Sequence, residues 1–176
     1  MRGAAVSIRN LLIGAGIVVL AGAGAAYGSL TMTHAESIEK QAALYQIEKI
    51  EKTWHKAASK HDLNLMMSIW APTATATFPG TNGQPGVTVR GKKAIRAIFA
   101  KAGPFQTANH WVSETPAYKM RTTVNGNKGT LYFECHYLDV ATGKLASAVG
   151  ADQEVRRIRG KWLITNMNAA AVTLKP

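Results

Sequence analysis

The stretch "NGNKGTLYFECHYLDVATGKL", residues 125–145, decides the fold of this protein. The Asn-Gly pair at its start favours a tight hairpin turn, and "ATGK" near its end favours a second turn. The residues between these turns are rich in aromatic side chains, which are common in strands. We therefore predict one long strand with a hairpin at each end, within an antiparallel sheet.

Side chains along this strand alternate between two faces of the sheet, because successive residues of a strand point in opposite directions. One face carries Leu131, Phe133, Cys135 and Tyr137, and the other carries Thr130, Tyr132, Glu134, His136 and Leu138. Hydrophobicity alone makes the first face the core and directs His136 to solvent or to a subunit interface. Cys135, the only cysteine, is then a buried hydrophobic residue rather than a reactive thiol.

Three helical patterns precede the long strand, at residues 37–62, 63–70 and 92–103. Ser37 and Asp62 are predicted to cap the first two helices, and Pro72 is predicted to end the second. Short strands, "TATATF" and "VTVRG", separate the second helix from the third, and further strands follow it. Helices followed by long antiparallel strands predict an α+β fold, with one curved sheet over about three helices.

The N-terminal residues have the pattern of an export signal. Arg2 and Arg9 precede residues 11–28, which carry no charge, and the small residues at 23–25 offer a cleavage site. The uncharged run is also close to the length of a membrane-spanning helix, so a retained anchor is an open alternative. Either way, the basic start keeps the N-terminus in the cytoplasm and places the domain outside it, in the periplasm or another extracytoplasmic space.

This pattern divides the chain into two parts, residues 1–35 as a signal peptide or membrane anchor and residues 36–176 as the folded domain. The formal net charge of +11 favours anionic partners. An exported domain would present this positive charge to an anionic membrane surface. Nucleic acid is therefore not expected as a partner. Neither a nucleotide-binding βαβ unit nor an HExxH or CxxC metal pattern occurs, so we expect no cofactor and no metal.

The chain resembles the nuclear-transport-factor-2-like superfamily, and its SnoaL-like branch, in three segments: "HDLNLMMSIWAPTATATF" (61–78), "VTVRGKKAIRAIF" (87–99) and "VRRIRGKWLITN" (155–166). Their order implies the cone-shaped, cystatin-like fold of that superfamily over nearly everything after residue 40. The resemblance also implies a homodimer through the outer face of the sheet. It does not fix function, since the same cup-shaped fold serves dehydratases, isomerases, hydrolases and binding modules.

Residues 53–73 are similar to the scytalone dehydratase type, which uses two histidines on neighbouring strands. The resemblance implies that His110 is the first catalytic histidine and that His136 lies near the second, with Glu134 deep beside it. It thus places His136 inside a cavity, whereas hydrophobicity places it on the outer face. Both alternatives are open at the level of sequence.

The partners of the histidines in that family are missing here. Ala58 and Ser59 occupy the positions of its tyrosine and its orienting aspartate. Ser59 could accept only a neutral hydrogen bond from an imidazole, so catalysis is expected to be weaker than in the resembling dehydratases. The family's asparagine falls near Ala151, beside Asp152.

The expected site is a cup lined by Trp70, Phe78 and Phe99, with Asp152 as a polar contact. We predict that His110 points into this cup as the main ligand contact and removes a proton, which His136 or Glu134 returns. Its strand neighbour Trp111 should then point away from the cup. Two other histidines, His55 and His61, are predicted to be solvated.

Three functions fit these features. The first is an exported, cofactor-independent dehydratase or isomerase that acts on a small apolar molecule. The second is a non-catalytic module that binds such a molecule in the same cup, and the third is an envelope assembly component held by its N-terminal anchor. The sequence favours a cup that binds a small apolar ligand and leaves catalysis open.

Overall fold

A computed structural model describes residues 24–80, 85–116 and 119–172. The chain divides into two units, Met1–Ala35 and Glu36–Pro176. Of the first unit, only the helical backbone from residue 24 is described, so the signal or anchor lies largely outside the described residues and stays a prediction. No helix in the described part is long and apolar enough to cross a membrane.

The α-helices of the described residues are α1 (Gly24–Ser59), α2 (Leu63–Ser68) and α3 (Lys92–Phe99), and a 3₁₀ turn (Gly103–Phe105) follows α3. Asp62 caps α2, as predicted, because its carboxylate accepts a hydrogen bond of 2.9 Å from the backbone N–H of Leu65. The prediction that Ser37 caps the first helix was wrong, since α1 begins at Gly24. Pro72 does not end α2, because α2 stops at Ser68 and Pro72 lies within a strand.

Seven strands form one sheet in the part of the chain that the structure describes. They are β1 (Trp70–Phe78), β2 (Val87–Arg90), β3 (Trp111–Glu114), β4 (Met120–Asn125), β5 (Lys128–Asp139), β6 (Lys144–Ile158) and β7 (Lys161–Ala171). Their order is β2-β1-β7-β6-β5-β3, and β4 also pairs with β5. The α+β prediction is confirmed, but the sheet is mixed, because β1 and β7 run parallel.

The core lies on the face of β5 that hydrophobicity alone had selected. Leu131, Phe133, Cys135 and Tyr137 are all buried there. The indole of Trp54, on α1, packs edge-on against Phe133 with ring centroids 5.6 Å apart. Helix α1 therefore covers this face of the sheet.

Strands β3 and β4 pair with the same edge of β5, at different positions along its length. Trp111–Glu114 pairs with residues 136–139, and Met120–Asn125 pairs with residues 128–133. Thr115, which follows β3, and Lys119, which precedes β4, both contact Glu134. These two residues bring polar side chains next to the middle of β5.

Candidate functional site

An apolar cavity of about 440 Å³ lies on the covered face of the sheet. Seven aromatic residues contribute to its wall: Trp54, Phe78, Phe99, Phe105, Trp111, Phe133 and Tyr137. The polar side chains in the wall are Lys101, Cys135, Tyr137 and Ser147. A volume of this size, with few polar groups, is typical of a small-molecule site.

Small side chains on β6 and β7 create this space. The sheet register places Ala151 opposite Phe133, and Ala169 opposite Ala151. Both alanines line the cavity. Phe133 therefore has only alanine methyl groups beside it on β6 and β7. The space that larger side chains would fill stays open as the cavity.

Gly103, in the 3₁₀ turn, lies directly against the indole of Trp111. A Cβ atom at this position would lie 2.6 Å from Cη2 of Trp111, which is closer than atoms can pack. The side-chain amide of Asn109 donates a hydrogen bond of 3.0 Å to the Gly103 carbonyl oxygen and holds the turn. Glycine at 103 thus leaves room for the Trp111 ring in the cavity wall.

Tyr137 brings a buried hydroxyl group to the cavity. The indole N–H of Trp54 donates a hydrogen bond of 3.4 Å to this hydroxyl oxygen. Burial raises the pKa of Tyr137 well above its ordinary value, and burial raises the pKa of Cys135 to about 12. Both side chains are therefore neutral at physiological pH, and Cys135 is not a reactive thiolate.

A polar network lies behind Tyr137. The Nδ1 atom of His55 is 2.6 Å from Oγ of Ser113, while its Nε2 atom is 3.2 Å from Oε1 of Glu51 and also contacts Oγ1 of Thr115. Ser113 is also the cross-strand partner of Tyr137 between β3 and β5. The network therefore connects a helix histidine to the cavity wall.

The prediction that His55 is solvated was wrong, whereas His61 is half-buried. Only 11 % of the His55 side chain is exposed. Nδ1 of His61 lies 2.8 Å from the carbonyl oxygen of Pro104. The sequence did carry one signal for the network, since Glu51 and His55 are four residues apart on a helix and so face each other. Nothing in the sequence pointed to Ser113.

His110 lies outside the cavity. It is exposed, it precedes β3, and it is not among the described residues that line the cavity wall, whereas Trp111 is. The expected orientations of the two residues are therefore reversed. The reason is register: Ser113 pairs with the inward-facing Tyr137, and Trp111 shares the face of Ser113. The hydroxyl of Ser59 accepts the backbone N–H of Ser113 at 2.9 Å instead of bonding to His110.

Glu134 and His136 lie on the opposite face of β5 from the cavity. Nε2 of His136 is 3.1 Å from one carboxylate oxygen of Glu134. Nζ of Lys119 and the hydroxyl of Tyr132 approach the other oxygen at 3.1 Å and 3.0 Å. The expectation of a histidine and a glutamate inside the cup was therefore wrong, and the placement by hydrophobicity holds. A catalytic role of His110, His136 or Glu134 in the cavity has no geometric support.

Glu134 is buried although it faces away from the core. Burial alone would raise the pKa of its carboxyl group. The hydrogen bonds from His136, Lys119 and Tyr132 outweigh burial, so the pKa of Glu134 is lower than its ordinary value. These contacts indicate a structural ion cluster that ties Lys119, just before β4, to β5.

Two of the four predicted pocket residues line the cavity, and two do not. Phe78 and Phe99 line the cavity. Trp70 is buried, with its ring 5.9 Å from that of Phe99, but it is not part of the described cavity wall. Asp152 is exposed on the opposite face, because its neighbour Ala151 faces the cavity. Among the described residues, no cluster of three His, Cys, Asp or Glu side chains could hold a metal ion.

A sheet over helices that encloses an apolar cavity is the architecture of NTF2-like proteins with a cystatin-like fold. One such protein, from Novosphingobium aromaticivorans, aligns with a TM-score of 0.64 and 14% identity over 81% of this chain and 88% of its own. A Streptomyces avermitilis protein of the NTF2-like family, provisionally named a dehydratase, aligns with a TM-score of 0.58 and 16% identity, over 76% and 99%. A second Novosphingobium aromaticivorans protein, provisionally named an aromatic ring hydroxylase, aligns with a TM-score of 0.59 and 18% identity, over 78% and 92%.

These likenesses establish the fold and no more, since the identities are low. The SnoaL-like domain family matches residues 52–162, which is more than half of the chain. The chain therefore belongs to the SnoaL-like domain family. No curated protein is significantly similar to it in sequence.

Proposed function

We propose that this domain binds a small, largely apolar molecule in its cavity. The observation that carries the proposal is the aromatic-walled volume of about 440 Å³, which falls in the range of ligand pockets and far exceeds a packing defect. Aromatic side chains favour a planar ring as the ligand, because rings pack through edges and offset faces. Membership of the SnoaL-like family, and two structural neighbours provisionally named for small-molecule chemistry, support this function.

The proposal extends to cofactor-independent proton transfer, as in a dehydratase or an isomerase. Tyr137 and His55 support it, because Tyr137 lines the cavity and pairs across the strands with Ser113, whose hydroxyl contacts an imidazole beside a carboxylate. These residues replace His110 and His136 in the proposed chemistry. The geometry of the cavity supports ligand binding more directly than it supports proton transfer.

A matched pair of variants tests the binding proposal. Ala169 lines the cavity, and Ala170, the next residue of β7, is exposed on the opposite face. Leucine at 169 removes volume from the cavity, whereas leucine at 170 does not. We expect Ala169→Leu to weaken binding of two-ring aromatic probes such as naphthalene at least 10-fold by titration calorimetry, and Ala170→Leu to leave it unchanged. Equal affinity in both variants and the parent would overturn the proposal.

We also propose that the domain acts outside the cytoplasm. Arg2 and Arg9 ahead of the uncharged residues 11–28 support export, and the net charge of +11 suits an anionic membrane surface. Fractionation of cells that express a C-terminally tagged chain tests this. Recovery of the folded domain from the cytoplasm would reject export.

A homodimer is the third part of the proposal. Leu138 and Leu145 are cross-strand partners at one end of β5 and β6, and Leu145 and Val140 are exposed. A monomer leaves these apolar side chains in contact with water. Light scattering at micromolar concentration should give twice the mass of one chain. The mass of a single chain would contradict the homodimer.

A further inference from the structure

We infer that the ligand of the cavity combines an apolar body with one anionic group, and that Lys101 binds this anion where the cavity opens to solvent. The inference rests on the proposed binding function and names the chemical class of the ligand. The exposure and the charge of the residues in the cavity wall support it.

Lys101 marks the mouth of the cavity. It is the one exposed residue among the described residues that line the wall, and the others are buried or half-buried. Ile98 and Ala102, on either side of it in the chain, also line the wall and are half-buried. A residue that both lines a cavity and is exposed lies at its opening. The residues at the end of α3 and just after it therefore form part of the rim.

Among the described residues of the wall, Lys101 supplies the only charge. None of the others is Asp, Glu, Arg or His. The thiol of Cys135 and the hydroxyl of Tyr137 are neutral at physiological pH, since burial raises the pKa of both groups. The wall therefore presents one positive charge at its rim and an uncharged, largely apolar interior below it.

The ammonium group of Lys101 has no hydrogen-bond or ion-pair partner among the described residues. The ion pairs found there involve other basic side chains, those of His55, Lys119, His136 and Arg157. The lysine side chain is a flexible stem of four carbons that ends in a compact charge. It can therefore turn to an anion at the opening without first breaking a contact within the described part of the protein.

The chain around Lys101 is positive over a long stretch. Residues 63–113 contain five Lys and Arg residues and no Asp or Glu. The four that precede Lys101 lie at residues 90–96, in or directly before α3, and no ion pair of the described residues involves them. Charges of one sign beside a cleft raise the local concentration of oppositely charged molecules. This side of the cavity therefore favours the approach of anions.

The division between a charged rim and an apolar interior defines the ligand. An ionised group placed deep in the cavity would lose its water without gaining a charged partner, which is costly. The same group at Lys101 keeps part of its water and gains an opposite charge, while a ring or chain fills the interior. An aromatic or aliphatic carboxylate has this division. An uncharged molecule leaves the ammonium group unpaired, and a cation is repelled by it.

Three probes of nearly identical shape test the inference. At neutral pH, 2-naphthoate is an anion, 2-naphthamide is neutral and 2-naphthamidine is a cation. Calorimetric titration of the full chain at low ionic strength should show 2-naphthoate binding about 2- to 5-fold more tightly than 2-naphthamide, as expected for one solvent-exposed charge pair. The cation 2-naphthamidine should bind most weakly of the three.

Variants at Lys101 and at a matched lysine show which charge is responsible. Lys101→Gln should remove the preference for 2-naphthoate and leave the affinity for 2-naphthamide unchanged, because glutamine is polar but uncharged. Lys101→Arg should retain the preference. Lys93→Gln removes the same charge from an exposed lysine of α3 that is not part of the described cavity wall, and it should retain most of the preference.

Salt provides a test without a variant. Raising the ionic strength from about 20 mM to about 0.5 M shortens the screening length to a few Å, so the affinities of 2-naphthoate and 2-naphthamide should come within about 1.5-fold of each other. A preference that survives this concentration of salt would contradict an anion held by an exposed charge at the rim.

The outcomes separate the inference from the proposed function. If none of the three probes binds, the binding function and the inference both fail. If 2-naphthoate and 2-naphthamide bind equally, if 2-naphthamidine binds most tightly, or if the preference survives Lys101→Gln, the inference fails and the binding function stands. Equal loss of the preference in Lys93→Gln and Lys101→Gln would reject Lys101 as the residue that binds the anion.

Discussion

Nδ1 of His55 lies 2.6 Å from Oγ of Ser113, and this contact joins helix α1 to strand β3 immediately behind the cavity wall. The two residues are 58 positions apart in the chain, so only the packing of helix on sheet brings them together. Ser113 is also the cross-strand partner of Tyr137, which lines the cavity. His55, which resembles a surface histidine in the sequence, thus belongs to a polar network beside the cavity wall.

His55→Ala should destabilise the domain more than His110→Ala. Removing the imidazole takes one hydrogen-bond partner from each of Ser113, Thr115 and Glu51 in a part-buried site, which costs about 1–3 kcal/mol of unfolding free energy. His110 is exposed, so its removal should change stability by no more than about 0.5 kcal/mol. Urea unfolding at pH 7.5 measures both. A larger loss for His110→Ala would contradict the placement of the two residues.

Gly103→Ala should displace Trp111 and reduce ligand binding. The new methyl group would lie 2.6 Å from Cη2 of the indole, so the ring must move from its place in the cavity wall. Overpacking of this kind costs about 1–3 kcal/mol of stability. The double variant Gly103→Ala/Trp111→Phe should recover part of the loss, because a smaller ring makes room. Equal stability of the single and double variants in urea would show that the ring is not the obstacle.

Glu134 should stabilise the fold at neutral pH and lose that effect in acid. Its pKa is lower in the folded than in the unfolded state, so its contribution is present above the unfolded value of about 4.3 and declines as pH falls through the folded value. Glu134→Gln should therefore cost about 1–2 kcal/mol at pH 7 and less at pH 3. The difference in unfolding free energy between parent and variant is measured at both values. If the difference in unfolding free energy were larger at pH 3 than at pH 7, the ionised Glu134 carboxylate would not be what stabilises this cluster.

Cys135 should be inert toward thiol reagents in the native state. A pKa of about 12 leaves on the order of one thiol in 10,000 ionised at pH 8, and the side chain is buried. The colour reaction with 5,5′-dithiobis(2-nitrobenzoate) should be slow until denaturant is added and should then proceed to one thiol per chain. Rapid reaction of the native domain would mean that the cavity admits the reagent and ionises the thiol.

Local patterns predicted much of the fold. Alternation along β5 identified the buried face with Leu131, Phe133, Cys135 and Tyr137, and the structure confirms it. The N-cap at Asp62 was also predicted from neighbouring residues alone. The three segments that resemble the NTF2-like superfamily gave the fold class, which the structural neighbours and the family match confirm. The start of α1 and the end of α2 were wrong, because helix ends depend on the segments that adjoin and pack against them.

The candidate site was predicted less well for a physical reason. Alternation fixes which residues share a face of one strand, and hydrophobicity indicates which face is buried, so the sequence by itself determined the aromatic and aliphatic wall on β5. It could not determine that His110 stops short of β3, that β3 pairs with β5 in the register that turns Trp111 and Ser113 inward, or that α1 brings His55 against Ser113. Those relationships join segments far apart in the chain, and their geometry depends on the pairing of strands and the packing of a helix over them. The position of His55 behind the cavity wall therefore depends on tertiary packing that no local pattern encodes.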